Sequence, residues 1–459
     1  MSRHVHRPRI FISLLAAAVL VAALGAAGAQ AGGSSRPPTW LKQWTPAGTN
    51  SFEGGVVARA GTGDLFVAGL RYRSSAGHYD LCVARYAASG ARKWVRTLTT
   101  PAGDYQVNAV AADAAGNVIV VGNVATPAHG LDWLVGKWSR GGKLLWTRQR
   151  DGTAHLKDNA LSVAVAADRT VVVVGTVNDA GTNDDGLIVK YSPKGKVLWQ
   201  HLIDGASHSS DALNSVALDA AGNAYAAGFD YVTARADDAL LIRYSPKGRA
   251  QWTRRWGVPN KHDWFSSVAV RGGYVAAAGI TENDPNPLNW ETRGLVAKYA
   301  AAHGTLKWAR QFENPTDSLR GATWNLVGID AKGRVAAAGW IATSAVPGED
   351  EWATTVYSAA GVQGAVQTAQ GSNANGNRPE ALLSTAGGTV FVTGYLSNSG
   401  ASMDLFTMAL SPTGVTKWTS ILDDPAHGSD AGFGIAASST ALYVGGEYYR
   451  SLALLKYAR

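Results

Sequence analysis

The chain is organised by a repeated alternation of short apolar segments and polar turns. In residues 171–199, an apolar run ends at Gly175, and a polar loop separates it from a second run ending in Lys190-Tyr191. A Ser-Pro-Lys-Gly turn and Trp199 follow, and nearly the same text returns at residues 224–252. Short segments rich in valine, isoleucine and aromatic residues, bounded by turn residues, predict β-strands.

The glycine that ends the apolar run recurs eight times, at intervals of 51 to 60 residues: Gly69, Gly122, Gly175, Gly228, Gly279, Gly339, Gly394 and Gly445. Each copy holds four strand-like segments, which in the third copy are 161–168, 170–176, 186–192 and 196–202. A period near fifty residues with four strands per copy is typical of a β-propeller.

The two ends of the chain complement each other. The fourth segment carries Gly-x-x-x-Trp in six copies, whose tryptophans are Trp94, Trp146, Trp199, Trp252, Trp308 and Trp418, and a seventh copy has Ala365 instead. Trp44 supplies a fourth segment with no preceding strands of its own, and residues 452–459 stop after a third segment. This offset suits a closed ring, because it leaves no sheet edge open where the ends meet. We therefore predict an all-β, eight-bladed β-propeller with an N-terminal strand closing the last blade, and seven blades is the alternative.

The N-terminus reads as a targeting segment. Arg3, Arg7 and Arg9 precede an apolar run that begins at Ile10 and ends in small residues. This layout predicts a secretory signal peptide over residues 1–31, a linker over 32–39 and the propeller over 40–459. The expected location is secreted or extracellular, and an uncleaved N-terminal anchor is the alternative.

The cysteine count and the net charge exclude or disfavour several kinds of site. Cys82 is the only cysteine, so an intrachain disulfide is excluded and a cysteine metal site is disfavoured. The formal net charge is +8, and removing residues 1–31 takes away three arginines and no acid, which leaves +5. This excess is spread over the repeats without a lysine or arginine block, so we expect no nucleic-acid partner.

The repeat resembles the bacterial secreted β-propeller repeats known as SBBP repeats. The shared pattern is Asp-x-x-Gly-Asn-x-x-x-x-Gly, an acidic residue, an apolar run, Lys-Tyr, Ser-Pro-x-Gly and Trp, over about residues 40–459. The resemblance implies a propeller and assigns no activity. The Gly-x-x-x-Trp segment is also similar to the docking motif of quinoprotein dehydrogenases, which implies that each tryptophan packs between blades. Those enzymes carry an adjacent cysteine pair beneath their quinone, and this chain has a single cysteine.

Two patterns of titratable residues are candidates for metal binding or acid–base chemistry. An acid opens the third strand of six copies: Asp80, Asp132, Asp185, Asp238, Glu351 and Asp404. The loops that enter blades 3, 4, 5 and 8 carry a histidine near an aspartate: His155/Asp158, His208/Asp211, His262/Asp263 and His427/Asp430. Imidazole with carboxylate could bind a divalent metal or act as general acid and base. The alternative is that these residues pack and cap turns in a copied loop.

Tryptophans outside the repeat motif collect in blades 5 and 6. Trp264, Trp290, Trp340 and Trp352 are expected on loops at one end, with at least two partly exposed beside one groove, whereas Trp324 should be buried. Clustered aromatic rings suggest a platform for a sugar or peptide. The alternative is a small satellite core beneath long loops.

Two functional classes stay open at this point. The first is a secreted, non-enzymatic scaffold that binds an extracellular glycan, peptide or protein on its loop face. For this class we expect a monomer with no membrane contact beyond the signal segment. We expect no cofactor, and a bound divalent metal is the alternative. The second is a secreted hydrolase or quinoprotein-like enzyme that uses the His/Asp loops. No Gly-x-Ser-x-Gly, His-Glu-x-x-His or P-loop motif is present in the sequence.

Overall fold

The computed structural model describes residues 33–45, 52–100, 104–127, 130–181, 183–205, 208–232, 236–282, 292–312, 321–342, 350–373, 376–398 and 402–459. Within these ranges every regular element is a β-strand, and the strands form eight separate sheets. The first strand of the first sheet packs against the eighth sheet, so the sheets form a closed ring. The predicted eight-bladed β-propeller is confirmed, and the seven-bladed alternative is wrong.

Each blade is an antiparallel sheet numbered here in chain order. Two N-terminal strands, β1 (Ser34–Ser35) and β2 (Trp40–Trp44), precede the first blade. Blade 1 contains β3 (Phe52–Arg59), β4 (Leu65–Arg73), β5 (His78–Tyr86) and β6 (Arg92–Leu98); blade 2 contains β7 (Tyr105–Ala112), β8 (Val118–Thr126), β9 (Gly130–Trp138) and β10 (Leu144–Arg150). Blade 3 contains β11 (Asn159–Val165), β12 (Val171–Asn178), β13 (Asp184–Tyr191) and β14 (Val197–Ile203); blade 4 contains β15 (Ala212–Leu218), β16 (Ala224–Val232), β17 (Ala236–Tyr244) and β18 (Ala250–Trp256).

The second half repeats this arrangement. Blade 5 contains β19 (Asp263–Arg271), β20 (Tyr274–Glu282), β21 (Thr292–Ala300) and β22 (Leu306–Phe312); blade 6 contains β23 (Ala322–Ile329), β24 (Val335–Ala342), β25 (Asp350–Tyr357) and β26 (Gln367–Ala369). Blade 7 contains β27 (Arg378–Ser384), β28 (Val390–Ser397), β29 (Met403–Leu410) and β30 (Thr416–Leu422). Blade 8 contains β31 (Ala431–Ala437), β32 (Ala441–Tyr448) and β33 (Ser451–Ala458), with β2 as its fourth strand.

The N-terminal segment closes the ring in two steps. Strand β2 pairs antiparallel with β33, as the offset of the repeats predicts. Ahead of it, Ser34 and Ser35 form a short parallel strand on the outer edge of blade 7, inside the segment expected to be a linker. Arg36 then lies over the Trp418 ring, 5.2 Å from its centroid, and donates to the carbonyl of Ala458. The start of the chain therefore ties blade 7 to blade 8.

A bulge in each innermost strand explains the recurring glycine. The pairing of β11 with β12 shifts register between Ala160 and Ser162, and an equivalent shift occurs in the first pair of every blade. The bulged strand brings the carbonyl oxygen of Asn159 within 1.8 Å of where a Cβ on Gly175 would lie. Only glycine tolerates this close approach of two backbones, so the position is constrained by the fold.

The hydrophobic core is divided among the spaces between neighbouring blades. Between blades 2 and 3, for example, Val121 of β8 packs with Val171 and Val173 of β12, and Trp146 of β10 joins them. Strands buried on both faces read as nearly continuous apolar runs, which is why the second strand of each repeat looks so hydrophobic.

The motif tryptophans join each blade to the next. The Trp146 indole N–H donates to the carbonyl of Pro193 at 3.1 Å, and its ring packs against Gly195 in the same turn of blade 3. Trp94, Trp199, Trp252 and Trp308 donate in the same way to the turn of the following blade. The packing role implied by the quinoprotein resemblance therefore holds for these residues.

An arginine two residues beyond the tryptophan completes this joint, and the sequence analysis missed it. Arg148 donates to the carbonyl of Gly195 at 2.7 Å while its guanidinium lies over the Trp146 ring. Arg96, Arg254 and Arg310 repeat the contact with the next blade. The recurring Trp-x-Arg spacing was the signal that could have revealed it.

Candidate binding face

The described site residues gather at one end of the ring. Because each blade is an antiparallel meander, the segments joining second to third strands and those joining one blade to the next lie at the same end. We call this end the loop face, and we call the opposite end, formed by turns such as 113–117 and 139–143, the turn face. The two kinds of loop-face segment touch: the Thr153 backbone N–H donates to Asp179 at 2.8 Å.

Three aspartates of the His/Asp pattern hold the loop-face segments in place. Asp158 is fully buried and accepts hydrogen bonds from the backbone N–H groups of Gly152 (2.8 Å) and Asn178 (2.7 Å). Gly205 and Tyr231 are the corresponding donors to Asp211, and Asp424 and Tyr449 are the donors to Asp430. One donor precedes the first strand and the other lies within one residue of the end of the second strand, so each carboxylate holds two loop-face segments together.

In blade 7, an asparagine accepts the corresponding pair of backbone hydrogen bonds. Asn377 is fully buried, and its side-chain oxygen accepts from the N–H groups of Gly371 and Ser397, both at 3.0 Å. Its amide N–H₂ donates to the carbonyl of Asp350 at 2.7 Å. The position therefore requires a hydrogen-bond acceptor and no negative charge. The His/Asp pattern does not include Asn377, although this residue precedes Gly394 by the same 17 residues that separate Asp158 from Gly175.

Burial makes these carboxylates weak acids. Loss of hydration raises the pKa of Asp158 and of Asp211 to about 6, although two backbone N–H bonds oppose the shift in each case. Burial likewise raises the pKa of Asp430 to about 7 and that of Asp263, which accepts from the Val258 N–H at 2.8 Å, to about 6. The charged form is disfavoured because it has lost more hydration than the N–H bonds replace.

His155, His208 and His427 are exposed, His262 is partly buried, and each of the four pairs with an aspartate. His155, His208 and His427 all have left-handed backbones, with φ of 53°, 50° and 52°, in the region that histidine, asparagine and aspartate visit more readily than most residues. Their Nδ1 atoms contact carboxylates four residues earlier, at 2.6, 2.8 and 2.6 Å, in Asp151, Asp204 and Asp423. His262 contacts Asp237 at 2.8 Å instead. Each of the four imidazoles thus has a carboxylate contact of its own.

Two groups of carboxylates are close enough to share a cation. In the described part of the chain, Asp132, Asp151 and Asp158 each place an oxygen within 4.8 Å of the others, and Asp185, Asp204 and Asp211 repeat the arrangement one blade further on. Three oxygens at this spacing could hold a hard divalent ion such as Ca²⁺. Neither group includes a histidine, so the nearest metal-like arrangement is oxygen-based and local to a blade junction.

The acids that open the third strands have different surroundings. Asp132 and Asp185 belong to the two carboxylate groups. Asp80 is instead fully buried between Arg71 and Arg73, with nitrogen–oxygen distances of 2.7 and 3.1 Å. The acids of this series therefore do not share one kind of site, although they share one position in the repeat.

The non-motif tryptophans divide into buried and partly exposed side chains. Trp324 is fully buried, as predicted, and its ring packs 5.0 Å from Phe312. Trp352 is also fully buried and donates from its indole N–H to Thr354. Trp264 and Trp340 are partly exposed at the loop-face ends of blades 5 and 6, and Trp290 lies outside the described residues.

Trp340 belongs to a polar cluster at the junction of blades 6 and 7. The guanidinium of Arg378 lies over its ring, 4.7 Å from the centroid, and forms an ion pair with Asp350. Glu380 lies two residues after Arg378 on β27, the first strand of blade 7, and burial raises the pKa of its carboxyl to about 7. An aromatic face, a cation and carboxylates therefore meet at one place, and the sequence showed no repeat signal for Arg378.

The chain does not fit the quinone site of the dehydrogenases whose docking motif it resembles. Cys82 is fully buried in β5, with its sulfur 3.6 Å from the Thr97 hydroxyl. Burial raises the pKa of its thiol to about 11. With no second cysteine in the sequence, the adjacent pair cannot form.

Comparison with known proteins supports the fold. The chain is similar to the quinohemoprotein alcohol dehydrogenase from Comamonas testosteroni (11% identity, 93% of this chain and 78% of that chain, TM-score 0.52). It is also similar to Sqt1 from Chaetomium thermophilum (9% identity, 92% of this chain and 100% of that chain, TM-score 0.55). No protein-family model matches the chain, and a search of curated proteins gives no match. No helix in the described residues is long and apolar enough to cross a membrane. These likenesses define a β-propeller and leave its activity open.

Proposed function

We propose that this chain is a secreted propeller of the SBBP-repeat type that acts as a non-enzymatic binding scaffold. Its ligand is an extracellular glycan, peptide or protein that contacts the loop face around blades 5 to 7. The basic and apolar layout of residues 1–31 supports secretion, and the repeat pattern over residues 40–459 supports the family.

The observation that carries the proposal is the partial exposure of Trp264 and Trp340 on neighbouring blades of the loop face. The motif tryptophans such as Trp146 are committed to joints between blades, and their indole N–H groups are bonded there. Trp340 instead has the guanidinium of Arg378 over its ring, and both Trp264 and Trp340 are partly exposed. Partly exposed aromatic rings on the surface are common anchors of a ligand or partner.

The Trp340 cluster supplies the polar groups that a binding site needs for orientation. Arg378 offers a charged donor beside the ring, and Asp350 holds the guanidinium in place. A sugar ring or a peptide could stack on the exposed part of the indole and bond to the guanidinium. The apolar and polar features of one small region thus suit recognition.

The enzymatic alternative has weaker support. The candidate acid Asp158 accepts hydrogen bonds from two backbone N–H groups. In blade 7, Asn377 stands at the equivalent position and accepts the corresponding two bonds. The exposed histidine of that loop, His155, is paired with Asp151. These contacts suit loop structure, and the single buried cysteine does not suit quinone binding.

Binding arrays test the proposal. The chain from Gly32 onward is applied to oligosaccharide and peptide arrays beside a Trp264→Ala, Trp340→Ala variant. We expect reproducible binding by the parent protein and a loss of that signal in the variant. A variant with Leu144→Ser and Leu145→Ser on the turn-face side is the control and should bind normally. Turnover of an array compound by the parent protein would favour the enzyme instead.

A further inference from the structure

The fourth strands of the blades carry charge of one sign only. The eight fourth strands are β2, β6, β10, β14, β18, β22, β26 and β30; all lie in the described part of the chain, and none contains an aspartate or glutamate. Several of them carry lysines or arginines, and the turns leading into them add more. Charges that are scattered along the sequence therefore meet in space, because the fold places every third-to-fourth-strand turn at the same end.

We define the basic rim as the exposed cations of these turns and strand starts in blades 1 to 5. They are Arg92 and Lys93 in blade 1, Lys143 in blade 2, Lys194 and Lys196 in blade 3, Lys247 and Arg249 in blade 4, and Lys307 in blade 5. The five blades are consecutive, so the rim is a continuous arc. The turns of a propeller lie near one plane, so a flat anionic surface could meet these cations together.

The acids of the turn face do not balance this charge. In the described residues they are confined to the turns between first and second strands, where they organise the turn itself. Asp113 accepts from the backbone N–H groups of Ala115 and Asn117 and pairs with the buried Lys137 at 3.0 Å. Asp64, Asp168, Asp219 and Asp330 are held by comparable contacts within or beside their turns.

Aliphatic side chains are exposed among the same cations. Leu144, Leu145, Val197, Leu198 and Leu306 directly follow the turns of blades 2, 3 and 5, and they are between 39% and 49% exposed. Exposed lysines on an edge strand are a common protection against strand pairing. That protection does not explain why large aliphatic side chains are exposed beside them. Cations interleaved with aliphatic groups are instead typical of surfaces that rest on a lipid interface.

We infer that the basic rim docks on the surface of an anionic phospholipid bilayer. The lysines and arginines would lie at the level of the phosphates, and the leucines and valines would enter the interface between head groups and acyl chains. A soluble polyanion would use the cations and leave the aliphatic groups unexplained. The inference departs from the sequence-based expectation of no membrane contact beyond the signal segment, because only the folded ring brings these residues into one arc.

This orientation would leave the loop face directed away from the bilayer. The proposed ligand face and the basic rim lie at opposite ends of the blades, so the two contacts do not compete. The inference concerns a different surface from the proposed function, and either can fail alone.

Vesicle co-sedimentation tests the inference. The protein is the chain from Gly32 onward, which contains the whole closed ring and lacks the apolar N-terminal run that would bind lipid by itself. We expect binding to vesicles of phosphatidylcholine mixed with phosphatidylglycerol, little binding to phosphatidylcholine alone, and weakening as salt is raised. Lys194→Gln with Lys196→Gln should lower the partition coefficient roughly tenfold to thirtyfold.

Two further variants separate lipid docking from simpler explanations. Lys157→Gln with Lys261→Gln removes the same charge from the loop face and should leave vesicle binding unchanged. Serine at Leu144, Leu145, Val197 and Leu198 keeps the charge and should still weaken binding. Failure to bind the anionic vesicles, or equal loss in the loop-face control, would overturn the inference. Binding that survives the serine substitutions and is abolished by inorganic polyphosphate would assign the rim to a soluble polyanion instead.

Discussion

Trp44 lies directly opposite Leu452 in the antiparallel pair formed by β2 and β33. Residues from the two ends of the chain therefore share one sheet, and the Trp44 ring also packs edge-on against Phe52 of blade 1, with centroids 6.3 Å apart. A single side chain thus joins the last blade to the first.

Deleting residues 40–46 should open the ring. The deletion removes β2, exposes the edge of β33 and eliminates the contact between Trp44 and Phe52. We expect a loss of at least about 3 kcal/mol in the free energy of unfolding, comparable to truncation of a packed tryptophan. Deleting residues 33–36, which removes β1 and the contacts of Arg36 but leaves β2 in place, should lower the free energy of unfolding by less. Thermal denaturation distinguishes them, and a 40–46 deletion that melts with the parent protein would contradict closure.

Gly175→Ala should be severely destabilising. A Cβ at this position would lie 1.8 Å from the Asn159 carbonyl oxygen and 3.0 Å from the Leu161 backbone nitrogen, so the clash is with backbone atoms and not with a side chain that could rotate away. We expect a cost of several kcal/mol or failure to fold, because backbone atoms must separate. Gly61→Ala is the matched control, since a Cβ there would have no neighbour within 4 Å. Equal stability of the two variants in urea denaturation would refute the bulge explanation.

Asp158→Asn should be tolerated and should change how stability depends on pH. Burial raises the pKa of Asp158 to about 6, so the folded protein holds this proton more tightly than the unfolded chain does. The sign follows from linkage: the contribution of Asp158 to stability is greatest at low pH and falls as the pH rises from about 4 to 6. The asparagine variant lacks this fall. Between pH 4 and pH 7, the free energy of unfolding of the asparagine variant should therefore rise relative to that of the parent protein by on the order of 1–3 kcal/mol.

Asp158→Ala provides the control for the hydrogen bonds. Alanine leaves the buried N–H groups of Gly152 and Asn178 without their acceptor, at a cost of about 1–3 kcal/mol for each unsatisfied group. Urea denaturation of the three proteins at several pH values measures both effects. An asparagine variant as unstable as the alanine variant would mean that the charge is required after all.

The architecture could be predicted because the copies of the repeat share the same order of strand-like segments and turns. The glycine that ends the second strand recurs in all eight copies, the motif tryptophan recurs in six, and the offset of the chain ends reflects the ring junction. Because these residues recur at a regular spacing, their structural role could be inferred from the sequence. The parallel addition of Ser34 and Ser35 to blade 7 was not predictable, because it happens once and has no repeat signal.

The candidate sites were less predictable for the same reason. The histidine and aspartate of each loop share a spacing, which suggested a joint site, yet the structure pairs each histidine with a carboxylate of its own. Arg378 contacts Trp340 across a single blade junction, and no repeated spacing in the sequence indicates this contact. Contacts specific to one junction need the fold before they can be found.

Titration of the strongest array ligand against the loop-face tryptophan variants tests the central claim most directly. Affinities are measured by calorimetry for the parent protein, Trp264→Ala, Trp340→Ala and Arg378→Ala, with far-ultraviolet circular dichroism to verify folding. The account predicts that each substitution weakens binding at least about tenfold, because anchors of this kind typically contribute more than 1 kcal/mol each. Folded variants that bind the ligand as tightly as the parent protein would contradict a binding site at this face.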